Sequence, residues 1–173
     1  MDTRSEAKSS IERKDFISTV AKIARPLSVT AKVNIFKSIF AKAAPSFANG
    51  IKIEIGFVFQ DPNDQLFSTK VFDDVSFGLI NYLNKKKDRR AKNRQYVEEI
   101  VRISLRKVNL GNIEEEIPHF LSFGEKKLVT LATVLSYDPE ILVLDEPSSN
   151  LDPRNRTNFI KLIQEMDKTI IIA

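Results

Sequence analysis

The chain has 173 residues, of which 42% are hydrophobic, so it should fold as one domain with a packed core. It contains no cysteine and a single histidine, His119, which excludes disulfides, thiolate metal sites and metal sites built from several histidines. The net charge of +4 comes from residues 1–50, which hold nine Lys or Arg and four Asp or Glu, so this basic excess does not indicate a nucleic-acid-binding protein.

Residues 1–50 form a basic segment without a recognisable motif, and we leave them unassigned. Apolar side chains between residues 33 and 40 recur at the spacing of a weak amphipathic helix, with Pro26 and Pro45 on either side. The segment lacks the apolar stretch of a secretory signal. No apolar run in the chain reaches the roughly 18 residues of a membrane-spanning helix. The absence of cysteine is typical of a cytoplasmic protein.

The pattern of apolar residues changes after Gly50. Apolar residues alternate with others from Ile51 to Phe59, which predicts a strand, and residues 61–64 read as a turn. Between Asp88 and Leu110, apolar residues recur at helical spacing and predict one amphipathic helix with a basic outer face. The run of basic residues from Lys85 to Arg94 is interpreted as its solvated start, in preference to a nucleic-acid site.

The remainder of the chain predicts alternating helices and strands. Residues 125–136 fit a helix, and the continuous apolar run Ile141–Leu144 fits a strand buried on both faces of a parallel sheet. A second helix should begin at Asp152 and Pro153, with the proline in its first position. Thr169–Ile172 predicts a second buried strand. The order helix, strand, helix, strand is that of a doubly wound α/β fold.

Two adjacent carboxylates, Asp145 and Glu146, follow directly on a buried strand. Side chains at the carboxyl end of a parallel strand reach the crevice where α/β folds bind ligands. In such a place one carboxylate can hold Mg²⁺ and the other can deprotonate an attacking water. The alternative is a strand that simply ends in a polar turn. Gln60, also at the end of a predicted strand, could contact a metal-bound water.

Ser122 and Gly124 lie just before a predicted helix. Exposed amides at a helix start bind anions, and a glycine lets a phosphate approach the backbone. The alternative is structural, because Ser122 and Glu125 have the S-x-x-E spacing of a capping box. Asp152 is expected to cap the helix that follows it.

The order and spacing of these stretches are more specific than any one of them. Gln60 precedes Ser122 by 62 positions, and Gly124 precedes Asp145 by 21. In sequence order the chain reads L-S-F-G-E-K-K, then I-L-V-L-D-E-P, then S-S-N-L-D-P. Over about residues 51–173 this resembles the ATP-binding-cassette (ABC) family, with its Q-loop, signature, Walker B and D-loop.

Within that family, one group is the most similar. The stretch F-Q-D-P-N-D-Q-L-F, followed by V-F-D-D-V-S-F-G, looks most like the ATPase subunits of cobalt, nickel and vitamin importers of the energy-coupling-factor type. The resemblance implies an α/β fold, a partial P-loop NTPase fold of ABC type. It should have a parallel-sheet core and a small helical subdomain at about residues 80–120, and it should be truncated at both ends.

The resemblance also implies roles at the chain's own nucleotide, ATP with Mg²⁺. Asp145 and Gln60 would serve the magnesium, directly or through water. Glu146 would be the general base. Gln60 would also sense the lytic water and couple the site to a membrane subunit.

Other roles belong to a partner's nucleotide. Two ABC ATPase domains pair head to tail, as a homodimer or a heterodimer. Ser122, Gly124 and Glu125 of the signature would contact the ATP held by the partner chain, and Asp152 would cross the dimer interface. The pair would dock on a transmembrane transporter subunit at the cytoplasmic face of the membrane, with no nucleic acid involved.

Two family elements are missing from the sequence. A phosphate-binding loop needs G-x-x-x-x-G-K-[ST], but no glycine precedes Gly50 and no Gly-Lys pair occurs. The switch histidine should follow Thr169–Ile172, where the chain ends, and His119 precedes the signature and reads as a surface or loop residue.

Three functions are therefore weighed. The first is an importer ATPase subunit, and the second is a non-hydrolysing remnant or partner subunit that cannot bind ATP on its own. The third is a cassette ATPase of chromosome or repair type, which the short spacing between Gln60 and Ser122 argues against. In either of the first two cases we expect the chain alone to bind ATP poorly and not to turn it over.

Overall fold

The computed structural model describes residues 54–172. In chain order its elements are strand β1 Ile55–Val58, a 3-10 turn Pro62–Asp64, helix α1 Val71–Lys85, a 3-10 turn Arg89–Lys92, helix α2 Arg94–Lys107, a 3-10 turn Pro118–Phe120, helix α3 Phe123–Leu135, strand β2 Ile141–Leu144, helix α4 Pro153–Gln164 and strand β3 Thr169–Ile172. The helix predicted between residues 33 and 40, and the start of the strand predicted from Ile51, lie outside the described residues.

Strands β1 and β2 are far apart in sequence and form a parallel pair. Ile55 lies opposite Ile141 and Val58 lies opposite Leu144. The strand order in the described sheet is β1, β2, β3. All four residues of β2 are buried, as expected for an apolar run covered on both faces. The predicted α/β fold with a parallel-sheet core is therefore confirmed.

Gly56 lets helix α3 lie directly against strand β1. A Cβ atom at this position would be 2.2 Å from Val134 Cγ1 and 2.8 Å from Pro139 Cγ, far inside van der Waals contact. The missing side chain thus permits a close approach that fixes α3 over the sheet.

The three helices α1, α2 and α3 build the main apolar core, with α1 packing against both of the others. The fully buried side chains of this core are Val71, Val75, Val101, Leu105, Val108, Val129 and Leu131. Burying an aliphatic side chain contributes about 1.5–3 kcal/mol, so this packing, rather than helix propensity, determines where the helices lie. None of the helices in residues 54–172 is long and apolar enough to cross a membrane.

The prediction of one helix from Asp88 to Leu110 is wrong in its first part. Asp88 caps a short 3-10 turn, and α2 begins only at Arg94, where the Asn93 side chain accepts a hydrogen bond from the Tyr96 amide at 3.1 Å. An asparagine that bonds locally interrupts the helix. The basic run is solvated as predicted, but it extends from the end of α1 to the start of α2.

Helix α1 itself was not predicted, although its buried positions Val71, Val75, Leu79 and Leu83 follow strict helical spacing. Strand β3 is present with the predicted bounds but is not buried on both faces. Ile171 is its one buried residue, and Ile172 is 55% exposed. In the described strand order it follows β2.

Candidate functional site

The ends of β1 and β2 bring together the polar residues that follow them. Gln60 lies two residues beyond β1, and Asp145 and Glu146 come directly after β2. The Gln60 Nε2 donates a hydrogen bond to Glu146 Oε2 at 2.7 Å. The Asp145 amide donates to the Val58 carbonyl at 3.0 Å and so extends the strand pairing to the site. Asp145 is only 1% exposed, whereas Glu146 faces solvent.

The backbone at Glu146 adopts a left-handed conformation, with a φ of 40°. This region is unfavourable for residues other than glycine and costs on the order of 1–3 kcal/mol. The Ser149 amide and hydroxyl both donate to the Glu146 carbonyl, at 3.0 and 2.8 Å, and close a tight turn. We call Glu146–Ser149 the catalytic turn, after the role that the resemblance implies for Glu146. Its hydrogen bonds hold the strained residue in place.

Lys127 of helix α3 contacts the catalytic turn, and the sequence analysis gave it no role. Its Nζ donates to the carbonyls of Glu146 and Pro147, each at 3.0 Å, and to Ser149 Oγ at 3.4 Å. Burial lowers the pKa of this lysine, while the negative charges of Glu146, Asp61 and Asp145 oppose the shift. The sequence carried a signal, because Lys127 has the spacing i, i+4, i+7 with Leu131 and Val134, which are core positions.

The signature residues form the start of helix α3. Ser122 Oγ accepts a hydrogen bond from the Glu125 amide at 3.3 Å, and Glu125 Oε2 accepts from the Ser122 amide at 2.9 Å. The capping box is therefore confirmed. It does not occupy the amides of Phe123 and Gly124, which as first-turn groups have no acceptor within the helix. An anion role for this helix start stays a prediction.

Glu125 makes the start of α3 sensitive to pH. Hydrogen bonds from the Ser122 hydroxyl and then the Ser122 amide lower the pKa of Glu125 below its ordinary value of 4.5. A depressed carboxyl pKa stabilises the fold fully above the ordinary value, and this contribution is lost as pH falls through the folded-state pKa. We therefore expect the advantage of wild type over Glu125→Gln in free energy of unfolding to shrink between about pH 7 and pH 3. Urea unfolding measures it, and an advantage that stays constant across this range would contradict the expectation.

Asp152 caps helix α4, as predicted. Its Oδ1 accepts hydrogen bonds from the amides of Arg154 and Asn155, each at 3.0 Å. The hydrogen bond from the Asn155 amide is the largest cause of a lowered pKa for Asp152. Asn155, which the sequence analysis missed, also donates from Nδ2 to Asp152 Oδ2 at 2.6 Å. A Cβ at Gly124 would lie 3.3 Å from the same Nδ2, so the signature and the D-loop meet at Asn155.

A cavity of about 600 Å³ adjoins the start of α3. Its polar lining comes from the start of α3, from α4 and the residue after it, and from the segment after α2, namely Ser122, Glu125, Asn155, Asn158, Lys161, Glu165 and Asn109. Gln60, Asp145 and Glu146 are not among its lining residues. The predicted site residues thus form two separate groups, one at the catalytic turn and one at the cavity.

The donor set at the first group fits Mg²⁺ bound together with a nucleotide. Magnesium prefers carboxylate and other hard oxygen ligands, and it usually keeps waters and substrate phosphates alongside one or two protein carboxylates. Asp145 and Gln60 offer a carboxylate and an amide oxygen. Within residues 54–172, no group of three or more His, Asp or Glu could hold a metal ion by itself.

His119 lies in the 3-10 turn Pro118–Phe120 and is exposed, as predicted for a surface residue. It stands apart from the catalytic turn in the sequence and caps no helix. The structure therefore gives it no part in the candidate site.

The profile of the ABC transporter family matches residues 24–149, which is more than half of the chain. The chain belongs to the ABC transporter family. The match begins at residue 24 and so takes in the second half of the basic N-terminal segment.

Known ABC proteins resemble the chain over about 70% of its length. The energy-coupling factor transporter ATP-binding protein EcfA of Methanothermobacter thermautotrophicus is 44% identical over 126 residues, which are 71% of this chain and 38% of the relative. The structure of cbiO1 from Clostridium perfringens, part of the ABC transporter complex cbiONQ, matches with a TM-score of 0.58 at 39% identity. The match covers 69% of this chain and 46% of the cbiO1 chain.

The ATP-binding cassette MJ0796, solved as a dimer in a post-hydrolysis state with ADP and Pi, also matches. Its TM-score is 0.58 at 25% identity, over 69% of this chain and 51% of that one. The ABC chain described here therefore has the P-loop NTPase fold of ABC ATPase domains, and it spans about half, or less, of the length of these relatives.

Proposed function

We propose that this chain is an ATP-binding subunit of an ABC-type importer and couples ATP binding and hydrolysis to the uptake of a metal ion or a vitamin. It pairs with a second ABC ATPase domain and with a transmembrane subunit, at the cytoplasmic face of the membrane. The importer class is supported by two relatives, an energy-coupling factor transporter subunit and a part of the ABC transporter complex cbiONQ.

The observation that carries the proposal is the 2.7 Å hydrogen bond between Gln60 and Glu146. A general base must be oriented within reach of the water that it deprotonates. Gln60 orients the Glu146 carboxylate at the open end of the sheet. In hydrolysis Glu146 takes a proton from water while the water oxygen bonds to the γ-phosphorus and the bond to the ADP oxygen breaks.

Asp145 and Gln60 are the residues that would hold Mg²⁺ at this site. When bound with ATP, the ion supplies positive charge that offsets the charge of the phosphates. Burial of Asp145 keeps its carboxylate at the strand end, beside the base.

A second function is favoured by one specific observation. Within the 173 residues, none of the five glycines is followed by lysine, so the chain contains no G-x-x-x-x-G-K-[ST] loop to wrap phosphates. Its Ser122 and Gly124 line or border a cavity separate from Glu146. In this alternative the chain lends its signature to ATP held by another subunit and hydrolyses none itself.

The first test measures ATP binding and phosphate release by the purified chain. We expect weak binding and no turnover by the chain alone, because the phosphates lack a loop that encloses them. Micromolar affinity with steady turnover that Glu146→Gln abolishes would contradict this expectation.

The second test adds a cassette subunit that has an intact phosphate loop. If the signature serine of that subunit is replaced by arginine, turnover depends on Ser122 of this chain. Ser122→Arg should then abolish turnover, whereas Gln95→Arg, an exposed position on α2, should not. If the added subunit instead lacks its own catalytic glutamate, turnover depends on Glu146. Turnover in the second mixture supports hydrolysis by this chain, and turnover in the first mixture alone favours the signature-lending function.

A further inference from the structure

Lys127 is a buried cation whose hydrogen bonds all lie within one short turn. It is 1% exposed, and its Nζ donates to the Glu146 carbonyl, the Pro147 carbonyl and the Ser149 hydroxyl. Burying an ammonium group is costly unless its donors are satisfied. A core position that needed only volume would be filled at less cost by leucine or methionine. The role of Lys127 therefore lies in the hydrogen bonds that its ammonium group makes.

We propose that Lys127 is a positioning residue that ties helix α3 to the catalytic turn and so directs the Glu146 carboxylate toward Gln60. Its role rests on the proposed function, because the direction of Glu146 matters to turnover only if Glu146 acts on a nucleotide. Lys127 itself touches no reacting atom in this scheme.

The strain at Glu146 explains why an anchor is needed. A φ of 40° at a glutamate is unfavourable, so it persists only where contacts with the surrounding structure hold it in place. Ser149 closes the turn from within, but those two hydrogen bonds do not attach the turn to the rest of the fold. Lys127 attaches it to helix α3 through three acceptors, which match the three donors of an ammonium group, whereas Arg156 of α4 reaches only the Ser148 hydroxyl, at 3.4 Å.

Helix α3 is a suitable base for such an anchor. Its position over the sheet is fixed by the close approach at Gly56, where an added Cβ would lie 2.2 Å from Val134 Cγ1. The capping box at Ser122 secures the same helix at its start. One rigid element therefore carries the signature at its first turn and holds the catalytic turn through its fifth residue.

The test is Lys127→Met, which keeps most of the side-chain volume and removes all three donors. Turnover is measured in the mixture whose added subunit lacks its own catalytic glutamate, and it is divided by the number of nucleotide sites found by titration. We expect kcat to fall about 100-fold, the size of effect that misplacement of a catalytic group can produce, with an unchanged KM for ATP. The amide of Ser149 should exchange with solvent faster than in wild type, while that of Leu144 in β2 should exchange as before.

Val129→Ala is the matched control on the same helix. It removes fully buried methyl groups, so it should lower the melting temperature while leaving kcat unchanged well below that temperature. If Lys127→Met retains wild-type kcat, or if kcat in both variants falls in proportion to melting temperature, the positioning role is wrong. If wild type shows no turnover in this mixture, the hydrolytic function fails instead. Solvent exchange of the Ser149 amide in Lys127→Met then tests the anchor by itself. Faster exchange than in wild type supports the anchor, and unchanged exchange overturns it.

Discussion

Replacing Glu146 by glutamine should lower phosphate release by about 100-fold or more, because general-base catalysis is worth about 10²–10⁴-fold. The mixture in which the added subunit lacks its own catalytic glutamate is the informative one, since any turnover there comes from this chain. Glutamine keeps the shape of the side chain and its hydrogen-bond contact with Gln60, but it cannot accept the proton from water. ATP affinity should therefore stay the same.

Glu99→Gln is the matched control, since this exposed glutamate lies on helix α2 and takes no part in the site. It should leave phosphate release unchanged. Equal turnover of wild type and Glu146→Gln would show that another group acts as the base. Absence of turnover in the wild-type mixture, together with turnover in the mixture that depends on Ser122, would establish the signature-lending function in its place.

Replacing Gly56 by valine should destabilise the fold by about 3 kcal/mol or more, at the upper end of what overpacking a core costs. The first added atom, Cβ, would already lie 2.2 Å from Val134 Cγ1, and Leu142 Cδ2 is only 3.1 Å away. The ring of Pro139 lies 2.8 Å away, and neither it nor the short Val134 side chain can make room without a shift of the backbone. Since a domain is stable by about 5–15 kcal/mol in total, a large part of the stability is lost.

Gly111→Val is the control for Gly56→Val. A Cβ at Gly111 would meet only Arg106 Cγ at 3.9 Å, which is ordinary contact. Thermal and urea unfolding followed by circular dichroism should show a large loss for Gly56→Val and little change for Gly111→Val. Similar unfolding curves for the two variants would show that the sheet accommodates a side chain at position 56.

Features set by a few neighbouring residues could be predicted from the sequence. The caps at Ser122 and Asp152 depend on side chains bonding to amides two or three positions away, and the apolar run Ile141–Leu144 defines β2 without reference to anything else. The sequence placed Gln60 and Glu146 at the ends of strands but did not predict their contact, which depends on the pairing of β1 with β2.

Features set by contacts between distant elements were missed for a physical reason. Lys127 was placed in the signature motif without a role of its own. Its contacts could not be predicted because its acceptors lie 19 and 20 positions further along the chain. The proximity of Asn155 to Gly124 depends on the packing of α4 against the start of α3, which the sequence does not show.

The parallel pairing of β1 with β2 has a consequence for how the site forms. Gln60 and Glu146 are 86 positions apart, whereas the bonds that shape each helix span only a few. Closing so long a loop costs more chain entropy than any local contact does. Helices α1, α2 and α3 are joined by shorter loops than this one and can therefore assemble before the two strand ends meet. A collapsed chain that has its helices but lacks this pairing would contain every residue of the candidate site without bringing those residues together.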